Sequence, residues 1–325
     1  MVEFFKAIFT TWEFRPFVLL FILLMGVLYF RGWLRLRRTV RNRKNNGPLQ
    51  EAGGDLSAKT GFDALGNRWR LISYIAGLVV LIISLLSGLD AYGTLLFWVH
   101  MVQHLLLLMV VPPLLWLGDP FIYSMWGLPR PLRLRMGGLF ADPSPFRHVL
   151  QKVTAAAPAW LYVVAATWIW HDGKMYDLAL RSEVVHDLEH LTFFVAGMIF
   201  FWHVVGSAPH IHHTMGYLQR AAYVVSEVPA NMFLGISIAF AAQPLFAYYT
   251  TVPRVWGISV MDDQRVGGII MWILGSMMYL MVALLLIAQF LRSKGDEATL
   301  SETEQVAEQS MLDREPKIDD VDVVV

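Results

Sequence analysis

The sequence predicts an all-α integral membrane protein, a bundle of seven transmembrane helices with its N-terminus outside and its C-terminus in the cytoplasm. Of the 325 residues, 56% are hydrophobic, and the mean hydropathy is +0.49. A chain of this composition has too much apolar surface to expose it to water, which indicates a polytopic membrane protein. Seven apolar runs approach or exceed the ~20 residues that cross a bilayer. They lie at about residues 16–34, 70–89, 94–117, 155–171, 187–206, 221–248 and 266–291.

Lysine and arginine fall mainly in alternate connections between these runs, and this asymmetry gives the predicted orientation. Eighteen basic residues lie on one side of the predicted membrane and six on the other. Cytoplasmic loops carry the excess of lysine and arginine. The side that holds the connection after the first run is therefore predicted to be cytoplasmic.

The chain divides into an outer N-terminal segment (1–15), a seven-helix membrane domain (16–292) and an acidic tail (293–325). The first run lacks a small-residue cleavage site and leads into a basic stretch, so we expect it to be retained. Residues 45–67 are predicted to form a loose linker, and 119–154 a segment lying on the lipid of the inner leaflet. The tail holds ten acidic residues from Asp296 onward, which predicts a disordered cytoplasmic segment.

Two histidine pairs share one spacing on very apolar helices. His100 and His104 lie in the third run, and His186 and His190 in the fifth. Residues four apart face the same side of a helix, and ionisable groups inside a membrane usually mark function. If the third run enters from outside near Thr94, His100 lies about 9 Å deep and His104 about 15 Å deep.

His171, at the outward end of the fourth run, completes a set of five histidines that we expect in the outer half of the membrane. A single intramembrane histidine is often only a structural hydrogen-bond donor, but five at compatible depth favour a buried metal or haem site. Imidazole suits copper, zinc and iron alike. Met101 and Met175 would add soft ligands that favour Cu(I), although methionine is also a common core filler.

Several acidic residues lie close to these histidines in the sequence. Asp172 and Glu189 are predicted to accept a hydrogen bond from the ring N–H of a metal-binding histidine and so to fix its tautomer. The alternative for either residue is a solvated acid at the membrane interface. Asp177 falls in a short outer loop, and Asp187 is explained as an N-cap of the fifth helix.

Other polar residues lie toward the predicted cytoplasmic side. His203, His210, His212 and His213 are candidates for a metal acquisition point or for a plain polar loop. Glu227 is a functional candidate in the sixth run, where Pro229 is expected to bend the helix. The chain has no cysteine, which excludes disulfides and thiolate ligands.

Three sequence blocks resemble the polytopic CtaG-type cytochrome c oxidase assembly factors. They read HMVQHLLLLMVVPPLLWLGDP, WIWHDGKMYDLALRSEVVHDLEHLTFFVAGMIFFW and PRVWGISVMDDQRVGGIIMW, and the similarity extends over roughly residues 70–292. The resemblance implies a multi-pass protein of the bacterial plasma membrane that is not an enzyme. It also implies a role in maturing haem-copper oxidases at the stage of copper insertion.

The resemblance assigns the motif histidines to His100, His104, His171, His186 and His190, with Glu189 beside the last. In the third block it points to Asp263, as a supporting or gating residue or simply a helix N-terminal acid, and to Gln264. Gly267 and Gly268 are expected to permit close helix packing. The implied partners are the oxidase catalytic subunit, a copper donor protein and membrane lipid, with no nucleic acid.

Two other classes of function stay open at this point. The HxxxH, HxxxH and HxHH motifs look like the histidine boxes of membrane di-iron desaturases, although the predicted orientation separates the third motif from the other two. A bis-histidine haem protein would pair residues such as His104 and His190 from facing helices. An ion transporter would require a repeat or pore that the sequence does not display.

Overall fold

The computed structural model describes residues 10–46, 67–142 and 144–312, and the long elements in these ranges are helices. We number seven of them in chain order. They are α1 (Pro16–Asn46), α2 (Arg68–Leu86), α3 (Phe97–Leu117), α4 (Ala156–Trp170), α5 (Glu183–Val205), α6 (Tyr217–Ala239) and α7, which begins as Val260–Ile269 and ends with Ser276–Leu312. The all-α class predicted from the sequence is therefore confirmed.

Six of these helices in the described ranges are long and apolar enough to cross a membrane. The fourth, α4, has only 15 residues and follows the helix Pro145–Val153 after a 53° bend. If that bent pair is one span, the described ranges contain seven spans. The predicted fourth run was already the shortest, so the span count depends on how this bend lies in the bilayer.

Short helices occupy the connections. Gly88–Gly93 joins α2 to α3, Gly173–Arg181 joins α4 to α5, and a 3-10 turn at Ala247–Thr250 lies between α6 and α7. These three connections, all on the predicted outer side, contact one another at one end of the bundle: Tyr249 donates to the Gly93 carbonyl at 2.7 Å, and the Tyr248 N–H donates to Asp177 at 3.1 Å. The long connection between α3 and α4 contains Pro120–Gly127, Arg130–Phe140 and Pro145–Val153.

Helix α3 contains a π-helical turn, Leu106–Val110, which begins two residues after His104. Pro112 and Pro113 follow in the next turn and have no N–H to donate, so the α-helical pattern cannot continue unchanged. Helix α5 passes this opening at Gly197, where an added Cβ would lie 2.5 Å from the Leu108 carbonyl oxygen. Only glycine permits so close a crossing.

The predicted role of Gly267 and Gly268 in close packing is confirmed. A Cβ at Gly267 would lie 2.2 Å from the Phe97 ring of α3, and one at Gly268 would lie 2.5 Å from the Ala239 nitrogen of α6. Helix α7 thus rests against both neighbours through two adjacent glycines, which brings the start of α3 against α7.

The C-terminal end of the last helix differs from the prediction, and parts of the predicted linker and tail lie outside the described residues. The last helix continues to Leu312 instead of ending near residue 293. Residues 293–312 include four glutamates, two alanines, two glutamines and two leucines and no proline, and these residue types favour helix. Residues 47–66 of the predicted linker and 313–325 of the predicted tail lie outside the described residues.

Candidate metal centre

Helices α3 and α5 bring the two histidine pairs together in a buried cluster. The Nε2 atoms of His100 and His190 lie 3.3 Å apart, and Glu189 reaches between the helices, with its carboxylate oxygens 3.7 Å from His100 Nε2 and 3.4 Å from His104 Nε2. One ligand atom from each of these four residues lies within 4.8 Å of the others. None of the four side chains is more than 5% exposed.

His186 belongs to a second group that adjoins the first. With Asp90 and His190 it forms another set of three ligand atoms within 4.8 Å of one another. Its ring centroid lies 4.2 Å from that of His190, one turn along α5. His190 is shared by the two groups.

His171 borders the cluster from the end of α4. Its Nδ1 donates to the Thr167 carbonyl at 2.7 Å, so that Nε2 carries the lone pair. This Nε2 lies 3.2 Å from Met101 Sδ, and the ring lies 5.6 Å from the His104 ring. His171 and Met101 therefore line one side of the cluster rather than joining the central four.

Two tyrosines orient His100 from behind. The Tyr176 hydroxyl lies 2.8 Å from His100 Nδ1 and 3.2 Å from the Tyr249 hydroxyl, which donates to the Gly93 carbonyl. If each group donates onward in this direction, His100 Nδ1 carries the proton and its Nε2 presents a lone pair to the cluster. These residues were not identified from the sequence because they lie in connections distant from the histidine motifs.

Asp90 was also missed by sequence reasoning. It lies in Gly88–Gly93, is completely buried, and accepts from Gln103 Nε2 at 2.6 Å. Its Oδ1 lies 3.8 Å from His190 Nδ1. An acid between two apolar runs is the signal that would have indicated it.

The other predicted acids have different positions. Asp172 is exposed and caps the Gly173–Arg181 helix, accepting from the N–H groups of Lys174 and Met175, which agrees with the predicted alternative of a solvated acid and not with an acceptor behind a histidine. Asp187 is not the N-cap of α5, because that helix begins at Glu183 after Ser182. It accepts a hydrogen bond from Arg15 instead.

Asp263 caps a helix other than its own. Its carboxylate oxygens accept from the N–H groups of Phe97 and Trp98 at 3.1 and 3.0 Å, which are the first residues of α3. Arg254 donates to the same carboxylate at 2.8 Å. Asp263 therefore fixes the start of α3 one turn before His100.

The four histidines on the predicted cytoplasmic side do not belong to this cluster. His203 donates from Nε2 to the Thr154 carbonyl at 2.7 Å near the far end of α5, and the His212 Nε2 lies 2.9 Å from the Thr154 hydroxyl. About 20 Å of helix separates His203 from His190. The three histidine motifs thus do not form one di-iron site.

The cluster fits a bound metal ion. Several of its buried polar atoms have no hydrogen-bond partner, namely both ring nitrogens of His104, both carboxylate oxygens of Glu189, Nδ1 of His190 and Nε2 of His186. Each such group costs about 1–3 kcal/mol when left unsatisfied. Imidazoles with one carboxylate suit copper, zinc or iron, and Met101 adds a soft sulfur nearby.

The sequence was compared with models of known protein families, and one family matches most of the chain. The sequence model of the cytochrome c oxidase caa3 assembly factors matches residues 27–293. The chain belongs to this family. The match includes the second half of α1, which the three blocks noted in the sequence do not contain, and every residue of the buried cluster.

Relatives among curated proteins are similar over most of this chain. An uncharacterised protein of Mycobacterium leprae is 26% identical over 296 residues, which is 87% of this chain. Uncharacterised proteins of Mycobacterium bovis and Mycobacterium tuberculosis are each 30% identical over 264 residues, or 78% of this chain. The chain spans about two fifths (40%) of the length of these relatives. No solved structure matches.

Proposed function

We propose that this protein holds copper, as Cu(I), in the buried cluster and delivers it to the catalytic subunit of a haem-copper oxidase during assembly. The observation that carries the proposal is the set of unpartnered, buried imidazole and carboxylate atoms on α3 and α5. Membership of an oxidase assembly family supports the identity of the recipient. In this proposal the protein is a metal carrier and not an enzyme.

The chemistry of each residue follows from its position. His100, His104 and His190 would supply neutral imidazole nitrogens, and Glu189 would balance the charge of the ion. His171 and Met101 line the side of the cluster, where a thioether favours Cu(I) over harder ions. The orientation predicted from basic residues would place this cluster in the outer half of the bacterial plasma membrane, within reach of a copper donor outside.

A bis-histidine haem is the weaker alternative. The four ligand atoms of the cluster lie within 4.8 Å of one another, and the Phe193 ring lies 4.3 Å from His104. These spacings suit a single ion better than a macrocycle. An optical spectrum of the purified protein separates the two, since haem gives a Soret band and Cu(I) gives none.

The test is a Cu(I) titration of the full chain in detergent against a chromophoric chelator. We expect stoichiometric high-affinity binding, which His100→Ala/His104→Ala reduces to weak residual binding and which His148→Ala/His213→Ala, a variant without two exposed histidines, retains. In cells, the first variant is expected to leave the oxidase deficient in copper, measured as metal per purified oxidase. Absence of Cu(I) binding in the wild type, or normal oxidase copper with the first variant, contradicts the proposal.

A further inference from the structure

Arg15 lies beside the second ligand group, just before α1. Its guanidinium contacts the buried Asp90 and donates to Asp187 at 2.5 Å and to Glu13 at 3.0 and 3.1 Å. The segment that carries it is fixed to the end of α2, where the Glu13 N–H donates to the Leu86 carbonyl at 2.9 Å. One cation thus lies among three carboxylates.

These groups form a series from the surface to the cluster. The side chains of Asp187 and Glu13 are 54% and 36% exposed, that of Arg15 is 19% exposed, and that of Asp90 is fully buried. Beyond Asp90 lie His186 and His190. The exposed carboxylates therefore lead to a buried carboxylate, and that one leads to the histidines.

We infer that the described chain has an outer metal subsite, formed by Asp90, His186 and His190, which receives the ion first. Before the ion arrives, Arg15 pairs with the Asp90 carboxylate, and the ion then takes the place of Arg15. The inference rests on the proposed copper function and adds a route to it. Two buried atoms of this subsite, His186 Nε2 and His190 Nδ1, have no hydrogen-bond partner. A guanidinium and a metal cation compete for the same carboxylate, because a buried Asp90 needs one positive partner.

His190 links the outer subsite to the inner one. Its Nδ1 faces Asp90 at 3.8 Å, and its Nε2 faces His100 at 3.3 Å. A neutral imidazole offers only one lone pair, so His190 serves the two subsites in turn: its proton is on Nε2 while Nδ1 faces an ion in the outer subsite, and on Nδ1, beside Asp90, once the ion has moved to the inner one. A single ion then passes from Asp90 and His186 to His100, His104 and Glu189, and its charge is balanced by a carboxylate at both positions.

The test uses a background in which the inner subsite is removed, His100→Ala/His104→Ala. We expect this full-length variant to bind Cu(I) weakly. Adding Arg15→Gln is expected to tighten that binding by about tenfold or more, because the competing charge is gone. Adding Asp90→Asn is expected to abolish it, while Arg15→Lys, which keeps the charge, leaves it as in the background.

Arg265→Gln is the matched control, because Arg265 pairs with Asp262 on the exposed surface at the start of α7. It should leave the residual Cu(I) affinity unchanged. If Arg15→Gln does not fold, Asp90→Asn in the same background decides the question alone. In the otherwise wild-type chain, Asp90→Asn is expected to slow Cu(I) loading by about tenfold and to change the affinity at equilibrium far less.

The results separate the two proposals. If the wild type binds Cu(I) but neither Arg15→Gln nor Asp90→Asn changes residual binding or loading, the outer subsite is wrong and the inner site stands. If the inner-site background binds no Cu(I) and Arg15→Gln does not restore binding, the outer subsite is again wrong. If the wild type binds no Cu(I), the proposed function itself fails.

Discussion

Tyr176 fixes the ring of His100 by a hydrogen bond to Nδ1, with Tyr249 and the Gly93 carbonyl behind it. We expect Tyr176→Phe to weaken Cu(I) binding by roughly tenfold, because partners behind a ligand typically change affinity by 10–100-fold. The stoichiometry should not change, since no ligand is lost. Competition titrations measure this directly.

Tyr248→Phe is the matched control for that variant. Tyr248 lies beside Tyr249 in the 3-10 turn Ala247–Thr250, and its hydrogen bond to Asp177 is made by the backbone N–H, which a phenylalanine keeps. Equal affinities for Tyr176→Phe and the wild type would mean that the tyrosines do not orient His100.

His212 gives the loop between α5 and α6 a dependence on pH. Burial lowers the pKa of His212 from 6.5 to about 4, with a further lowering from the neighbouring His203. Between pH 6.5 and 4, His212 binds more protons when the loop is detached from the bundle and the ring is in water than when the loop is packed. The packed loop therefore becomes less stable as pH falls. Above pH 6.5 His212 is neutral in both states and contributes no pH dependence.

Hydrogen exchange over residues 206–216 measures this effect. After correction for the intrinsic rate, exchange should be faster at pH 5 than at pH 7.5 in the wild type. His212→Gln should remove most of the difference, whereas the exposed His213→Gln should retain it. An identical pH response in both variants would rule out His212 as the cause.

At the scale of the element, the position of α3 depends on a carboxylate from α7. Asp263→Ala removes the acceptor for the N–H groups of Phe97 and Trp98 and the partner of Arg254. We expect a loss of about 1–2 kcal/mol in unfolding free energy, in the upper range for a lost helix cap. Denaturation of the protein in mixed micelles measures it.

Cu(I) affinity should fall with the same change, because His100 lies one turn from the capped end. Asp262→Ala is the control, since Asp262 is exposed and its side chain bonds to Ser259 and Arg265 of its own helix start. A variant as stable as Asp262→Ala would show that the cap is dispensable.

The sequence predicted the histidine cluster from helix geometry, but not the groups that surround it. The spacing of His100, His104, His186 and His190 defines which face of α3 and α5 they share, and these side chains meet as expected. Asp90 and Tyr176 come from short connections whose direction periodicity does not define. Their approach to the histidines depends on tertiary contacts between outer connections, which no local pattern encodes.

At the scale of the whole molecule, the orientation in the membrane is still a prediction from basic residues. The absence of cysteine makes it simple to test, because each introduced thiol is unique. We expect Lys174→Cys to react with a membrane-impermeant maleimide in intact cells. Arg133→Cys should react only after the membrane is permeabilised.

The same experiment tests how the bent pair before α4 lies in the bilayer. Lys174 and Arg133 flank that pair, which passes the criterion for a span only when its two helices are taken together. The same labelling pattern at both positions, whether from outside or only after permeabilisation, would mean that the pair re-enters the side it came from, and the described part of the chain would then have six spans.

The π-helical turn Leu106–Val110 divides α3 into two parts whose rotations are set separately. A regular helix transmits every one-residue insertion or deletion as a rotation of about 100° to all residues beyond it. Here the extra residue of the turn absorbs such a change between His104 and Pro112. A residue gained or lost in the part of α3 that leads into the connection to α4 can therefore be taken up at this turn without turning His100 and His104 away from the cluster.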